Sequence, residues 1–106
     1  MKKYSAELVF SNVSLHNSDP RRYSYLLYKC PKCDQQISFS YKDFQRYALN
    51  QTPKYKGLFP DLFVGNYNSF LEFICPECKI KTRVYYGIYF GDKYPCVKID
   101  SVLTSE

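Results

Sequence analysis

Tyr28-Lys29-Cys30-Pro31-Lys32-Cys33-Asp34 and Ile74-Cys75-Pro76-Glu77-Cys78-Lys79 repeat one pattern, an apolar stretch running into Cys-Pro-x-Cys. Two residues between the cysteines let both sulfurs of a pair curl toward one point, with backbone N–H groups of the tight turn aimed at the thiolates. The proline after the first cysteine fixes φ and helps that turn form. Two such turns meeting face to face make a tetrahedral four-sulfur site, with metal–sulfur distances of about 2.3 Å. Cys30, Cys33, Cys75 and Cys78 are therefore the candidate ligands, and one zinc ion is the expected cofactor. Iron also accepts four thiolates, but zinc is the better default.

Two other uses of paired cysteines compete with this one. A redox Cys-x-x-Cys centre would be a single pair beside a βαβ pattern, whereas here there are two pairs and no such pattern. Short-loop disulfides need an oxidising compartment. Residues 1–7 are basic but lead into no apolar segment, so they do not read as a secretory signal, and the expected location is the cytoplasm. Four protein ligands leave a metal no open position, so the ion is expected to be structural rather than catalytic. Cys96 stands outside the pattern and reads as a small buried hydrophobe. His16, the one histidine, falls in a turn and has no place in a site already closed by sulfur.

The double knuckle resembles the zinc-ribbon class, in which two such turns cap neighbouring β-hairpins. The resemblance extends loosely over residues 28–81 and rests on Cys30, Cys33, Cys75 and Cys78. It implies an antiparallel, zinc-centred fold. The insert between the knuckles, residues 34–74, is 41 residues long, against the compact ribbon's ~15–20. Functions of short ribbons are therefore not implied.

Working outward, alternation of Ala6, Leu8 and Phe10 with Ser5, Glu7 and Val9 predicts a strand over 4–13. Residues 15–20 carry turn chemistry. Strands are expected over 22–29, 36–40, 70–74, 79–90 and 96–103. Ser40 reads as a helix N-cap with Asp43 three residues on, and Tyr41, Phe44, Tyr47 and Ala48 fall at helical spacing. That predicts one short helix, ended by residues 50–53. The fold expected is α+β, a small antiparallel β-rich, zinc-ribbon-like single domain over 1–106 with this helix between the knuckles.

Composition sets the remaining bounds. The chain has 106 residues, 45% of them hydrophobic, with twelve Tyr, eight Phe and no Trp. A domain this size buries a limited share of its surface and commonly needs a staple. Formal charge is +5; a zinc tetrathiolate carries a net charge of about −2, leaving the loaded protein near +3. That excess permits a nucleic-acid or acidic partner without requiring one. No stretch approaches the roughly 20 apolar residues of a membrane span.

Residues 52–69 hold Pro53, Gly57, Pro60 and Gly65 among apolar side chains. Leu58, Phe59, Leu62, Phe63 and Tyr67 read first as a flap over the core; as a loop of this length they are also candidate contacts to a protein partner. On the strand 79–90, Lys79, Lys81, Arg83, Tyr85 and Tyr89 share one face. Lys81, Arg83, Tyr85 and Tyr89 thus form an alternative nucleic-acid surface, phosphates on cations and bases on rings. An ordinary solvated face explains the same alternation. No nucleophile–base set, metalloprotease helix or phosphate loop is present, so no catalytic residue is assigned. The function expected is a non-enzymatic, zinc-stabilised protein-binding module, in one version a bacterial immunity or antitoxin-type protein that blocks a toxin. The alternative is a nucleic-acid-binding zinc ribbon.

Overall fold

The computed structural model describes residues 1–16, 25–49, 51–59, 69–91 and 94–106. Among them the order is β1 (Lys2–Ser5), α1 (Ala6–Val9), β2 (Ser14–His16), β3 (Tyr25–Lys29), β4 (Gln36–Ser40), α2 (Tyr41–Leu49), β5 (Ser69–Ile74), β6 (Lys81–Gly91) and β7 (Tyr94–Thr104). The architecture is α+β, with every strand pair antiparallel. The larger sheet runs β1-β7-β6-β5, and β2 also pairs with β7; β3 and β4 form a separate two-stranded sheet. No helix among the described residues is long and apolar enough to cross a membrane.

The larger sheet buries both of its faces over much of β6. Leu71 lies opposite Val84 and Val84 opposite Val102, and these side chains face the small sheet across one core. Rings cross that core in sequence. Tyr28 and Phe39 of the small sheet meet Phe73 at 5.1 and 5.3 Å, Phe39 meets Phe44 of α2 at 5.8 Å, and Phe44 meets Tyr86 at 4.9 Å. Each such pair is worth about 0.5–1.5 kcal/mol beyond the area it buries. Nine of the twenty Tyr and Phe belong to this core or pack against it. A bulge shifts the β6–β7 register between Tyr85 and Tyr86, because Tyr85 faces Ser101 while Tyr86 faces Ile99, which leaves Asp100 as the extra residue.

α2 starts where its capping residues predict. The Ser40 N–H donates to Asp43 Oδ2 at 2.8 Å and the Ser40 hydroxyl donates to the same oxygen at 3.2 Å. Tyr41 and Phe44 are buried, while Lys42, Gln45, Arg46 and Leu49 face outward. A nine-residue helix is marginal alone and depends on this docking. The buried Tyr86 hydroxyl donates to the Phe44 carbonyl at 2.6 Å, tying the helix to β6.

The amino-terminal segment departs from the single strand expected over 4–13, and a second helix stands beside the one expected. β1 pairs with residues 101–104 of β7 and β2 with residues 96–98 of the same strand. Between those two stretches the chain leaves the sheet edge. It forms the helical turn α1, which buries Ala6 and Val9 and leaves Leu8 73% exposed. Phe10 then bridges to Tyr28, and the Ser11 N–H donates to the Leu27 carbonyl at 2.8 Å. Burial thus follows positions 6, 9 and 10, a helical spacing, instead of the alternation at 6, 8 and 10. Leu15 and His16, expected in a turn, belong to β2; the rest of that turn lies outside the described residues.

Candidate metal centre

Each knuckle is the tip of a hairpin. Residues 30–35 join β3 to β4 in the small sheet, and residues 75–80 join β5 to β6 in the large one. The two turns are built alike. The Cys30 N–H donates to the Gln35 carbonyl at 2.9 Å and the Asp34 N–H to the Cys30 carbonyl at 2.9 Å; Cys75 with Ile80 and Lys79 with Cys75 repeat these bonds at 3.0 Å each. The residue after each second cysteine takes a left-handed conformation, φ 64° at Asp34 and 66° at Lys79. That conformation folds the backbone around the sulfurs and back into the hairpin. Asp is at home there; Lys is strained.

The four Sγ atoms lie within 4.8 Å of one another. Cys30 and Cys78 approach to 3.6 Å, and Cys33 and Cys75 to 3.5 Å. A tetrahedron with metal–sulfur distances of about 2.3 Å has edges of about 3.8 Å, so the cluster fits one ion with little movement. Cys30 and Cys75, the first cysteine of each knuckle, are buried, and Cys33 and Cys78 are half-buried. Sequence order thus sets depth, identically in both turns.

The electrostatics differ between the two knuckles. Burial pushes the Cys30 thiol up to about 12, opposed by the N–H groups of Cys33 and Lys32 aimed at its sulfur. Burial also acts to raise Cys75, but the N–H groups of Cys78 and Glu77 and the neighbouring Cys33 and Cys78 thiols outweigh it and bring Cys75 down to about 7. The donors come from equivalent positions in the two turns. Backbone dipoles thus act toward the charged sulfur in both knuckles but prevail over burial only at Cys75, while the Cys30 and Cys33 thiols stay raised. Cys96 lies outside the cluster, half-buried on β7.

The other predicted residues scatter. Lys81 is exposed and Tyr89 is 38% exposed. Arg83 and Tyr85 are only 2% and 5% exposed, so the face read as basic and solvated is covered at its centre. Arg83 faces Glu72 across the β5–β6 ladder, and the two form an ion pair at 3.6 Å with both side chains buried. The guanidinium carbon lies 4.5 Å from the Phe70 ring centre, 5.0 Å from Phe59 and 5.9 Å from Tyr85, within cation–π range of all three. Glu72 also accepts the Lys54 N–H at 3.2 Å.

Residues 54–59 therefore cross this face as a strap. Gly57, φ 79°, supplies the left-handed turn that glycine adopts without strain. Of the candidate partner residues, Phe59 is buried against Arg83 and Leu58 is half-buried; Leu62, Phe63 and Tyr67 lie outside the described residues. Phe59 acts as the flap. Glu72, buried and paired with Arg83, is not among the residues expected at this face. Its signal was a lone carboxylate between Leu71 and Phe73 in an apolar strand, which needs a buried base to accompany it.

Comparison with protein-family models, with curated proteins and with solved structures found no match.

Proposed function

We propose that the chain is a non-enzymatic module that binds another protein and is held in its binding form by one zinc ion on Cys30, Cys33, Cys75 and Cys78. The observation that carries this reading is the position of the sulfur cluster, at the meeting of two hairpin tips from two different sheets. A metal there fastens the small sheet to the large one and anchors both ends of residues 34–74. An all-thiolate tetrahedral set suits zinc, and four protein ligands leave it no open position for substrate. Reduced thiols fit a reducing compartment such as the cytoplasm.

A protein partner is favoured over nucleic acid because the cation and ring at the middle of the basic strand are turned to internal use, Arg83 on Glu72 and Tyr85 beside it. Exposed apolar side chains, among them Leu8 at 73%, Leu49 at 81% and Tyr25 at 53%, offer contacts of the kind interfaces use. Neutralisation of a toxin, in the manner of small bacterial immunity or antitoxin proteins, is one form such binding takes.

The test compares the zinc-loaded protein with a Cys30→Ser/Cys75→Ser variant as bait for a partner encoded beside it, with labelled single- and double-stranded oligonucleotides as the rival ligands. The expected result is a stoichiometric protein complex that requires zinc. Steeply salt-dependent oligonucleotide binding without a protein complex would overturn the reading.

A further inference from the structure

Four exposed lysines lie on the strap, on the edge of β6 it covers and on the adjoining knuckle turn. Ile74 and Lys81 lie directly opposite one another at the last step of the β5–β6 ladder. Lys81 is exposed, and Ile74 is 46% exposed, large for an apolar side chain next to a buried cysteine. The Lys81 ammonium sits 5.7 Å from the centre of the Tyr55 ring. Lys54 and Lys56 flank Tyr55 along the strap and are exposed. The Lys54 backbone is pinned there by its bond to Glu72. Lys79 adds a fourth cation from the adjoining turn, its ammonium donating to the Pro76 carbonyl at 2.9 Å. Among the described residues the ion pairs join Lys2 to Glu106, Lys29 to Asp34 and Arg83 to Glu72, so none of these four lysines is neutralised by one.

We propose that this patch is the docking surface for an acidic segment of the partner protein, with carboxylates meeting Lys54, Lys56, Lys79 and Lys81 around an apolar side chain seated on Ile74 and the edge of Tyr55. The inference rests on the protein-binding reading and gives the partner's chemistry. Two features choose protein over nucleic acid. Tyr55 is half-buried with a cation already over its ring, so that face is closed to a stacking base. An exposed isoleucine amid the charges matches an apolar anchor inside a polar rim. Countercharge for the tetrathiolate accounts for Lys79, but Lys54 and Lys56 come from the strap, and Ile74 has no part in that role. Rim lysines of this kind steer a partner and set its on-rate.

The probe is a fluorescein-labelled peptide of glutamates interrupted by leucines, titrated with zinc-loaded protein and followed by anisotropy. K54E/K56E/K81E is compared with K42E/R46E/K98E, which makes the same change in net charge at exposed positions on α2 and β7. Zinc content and circular dichroism are checked for both. The patch variant is expected to bind on the order of tenfold more weakly while the reference variant stays within about twofold. Ile74→Ser, which leaves the charges untouched, is expected to weaken binding too. Equal losses in both charge variants would reduce the effect to net charge and overturn the proposal. So would zinc loss confined to the patch variant, which would make the lysines countercharges. Tighter binding of a labelled oligothymidine than of the peptide would overturn it in favour of nucleic acid. A protein complex that K54E/K56E/K81E leaves intact would overturn the patch alone and spare the protein-binding reading.

Discussion

Two fastenings hold distant parts of this chain together, and they work by opposite means. The clasp brings four sulfurs from two hairpin tips within 4.8 Å of one another. The strap lays residues 54–59 over the large sheet, where Arg83 sits between Glu72 and the rings of Phe59 and Phe70. On the zinc reading the clasp is a set of negative ligands that takes its cation from outside. In the strap the chain supplies the cation itself. An external ion can be removed and its coordination measured. An internal one can be probed only by substitution, and its worth depends on whether its partner is left behind.

Removing the metal should have the largest effect. Metal binding by small structural sites is worth on the order of 10–16 kcal/mol, against about 5–15 kcal/mol for a whole domain. A strong chelator under reducing conditions, or Cys75→Ser, should abolish the cooperative thermal transition. An unchanged circular dichroism spectrum after confirmed metal loss would put the strap and the ring core ahead of the clasp.

The strap should respond differently to one change than to two. Arg83→Met leaves Glu72 buried without its cation and should cost about 3–5 kcal/mol in urea unfolding of the metal-loaded protein. Adding Glu72→Leu should recover most of that loss, because a buried pair replaced by apolar side chains is often neutral. Equal destabilisation by the single and the double variant would mean that the rings, and not the ion pair, hold the strap.

Smaller effects sharpen the picture further. Tyr86→Phe removes the 2.6 Å bond to the Phe44 carbonyl and should cost about 1 kcal/mol, lowering the melting temperature without metal loss. Within the clasp, the two knuckles differ at the left-handed residue. Lys79→Gly should stabilise the loaded protein by about 0.5–1 kcal/mol, and Asp34→Gly by less, since Asp tolerates φ near +64° better than Lys tolerates +66°. A larger gain at Asp34 would show that the turns are not equivalent.

The clasp was legible in the sequence because its chemistry is local. Spacing, the proline and the preceding strand all lie within a few residues, and only the meeting of the two turns is a long-range event. The α2 start was legible for the same reason, as Ser40 and Asp43 are three residues apart. Arg83 was misread because alternation tells which side of a strand a residue takes and not what covers that side. Its cover comes from Phe59, and its counterion from Glu72 on another strand. Residues 6–10 were misread because the set 6, 8 and 10 and the set 6, 9 and 10 are both apolar. The choice between them depended on β7 being shared by β1 and β2.

X-ray absorption at the zinc edge on the reduced, metal-loaded protein tests the central claim most directly. The account predicts one zinc per chain with four sulfur neighbours at about 2.3 Å, and loss of that signature in both Cys30→Ser and Cys75→Ser. A first shell containing nitrogen or oxygen, or the same four-sulfur shell surviving in either variant, would contradict it.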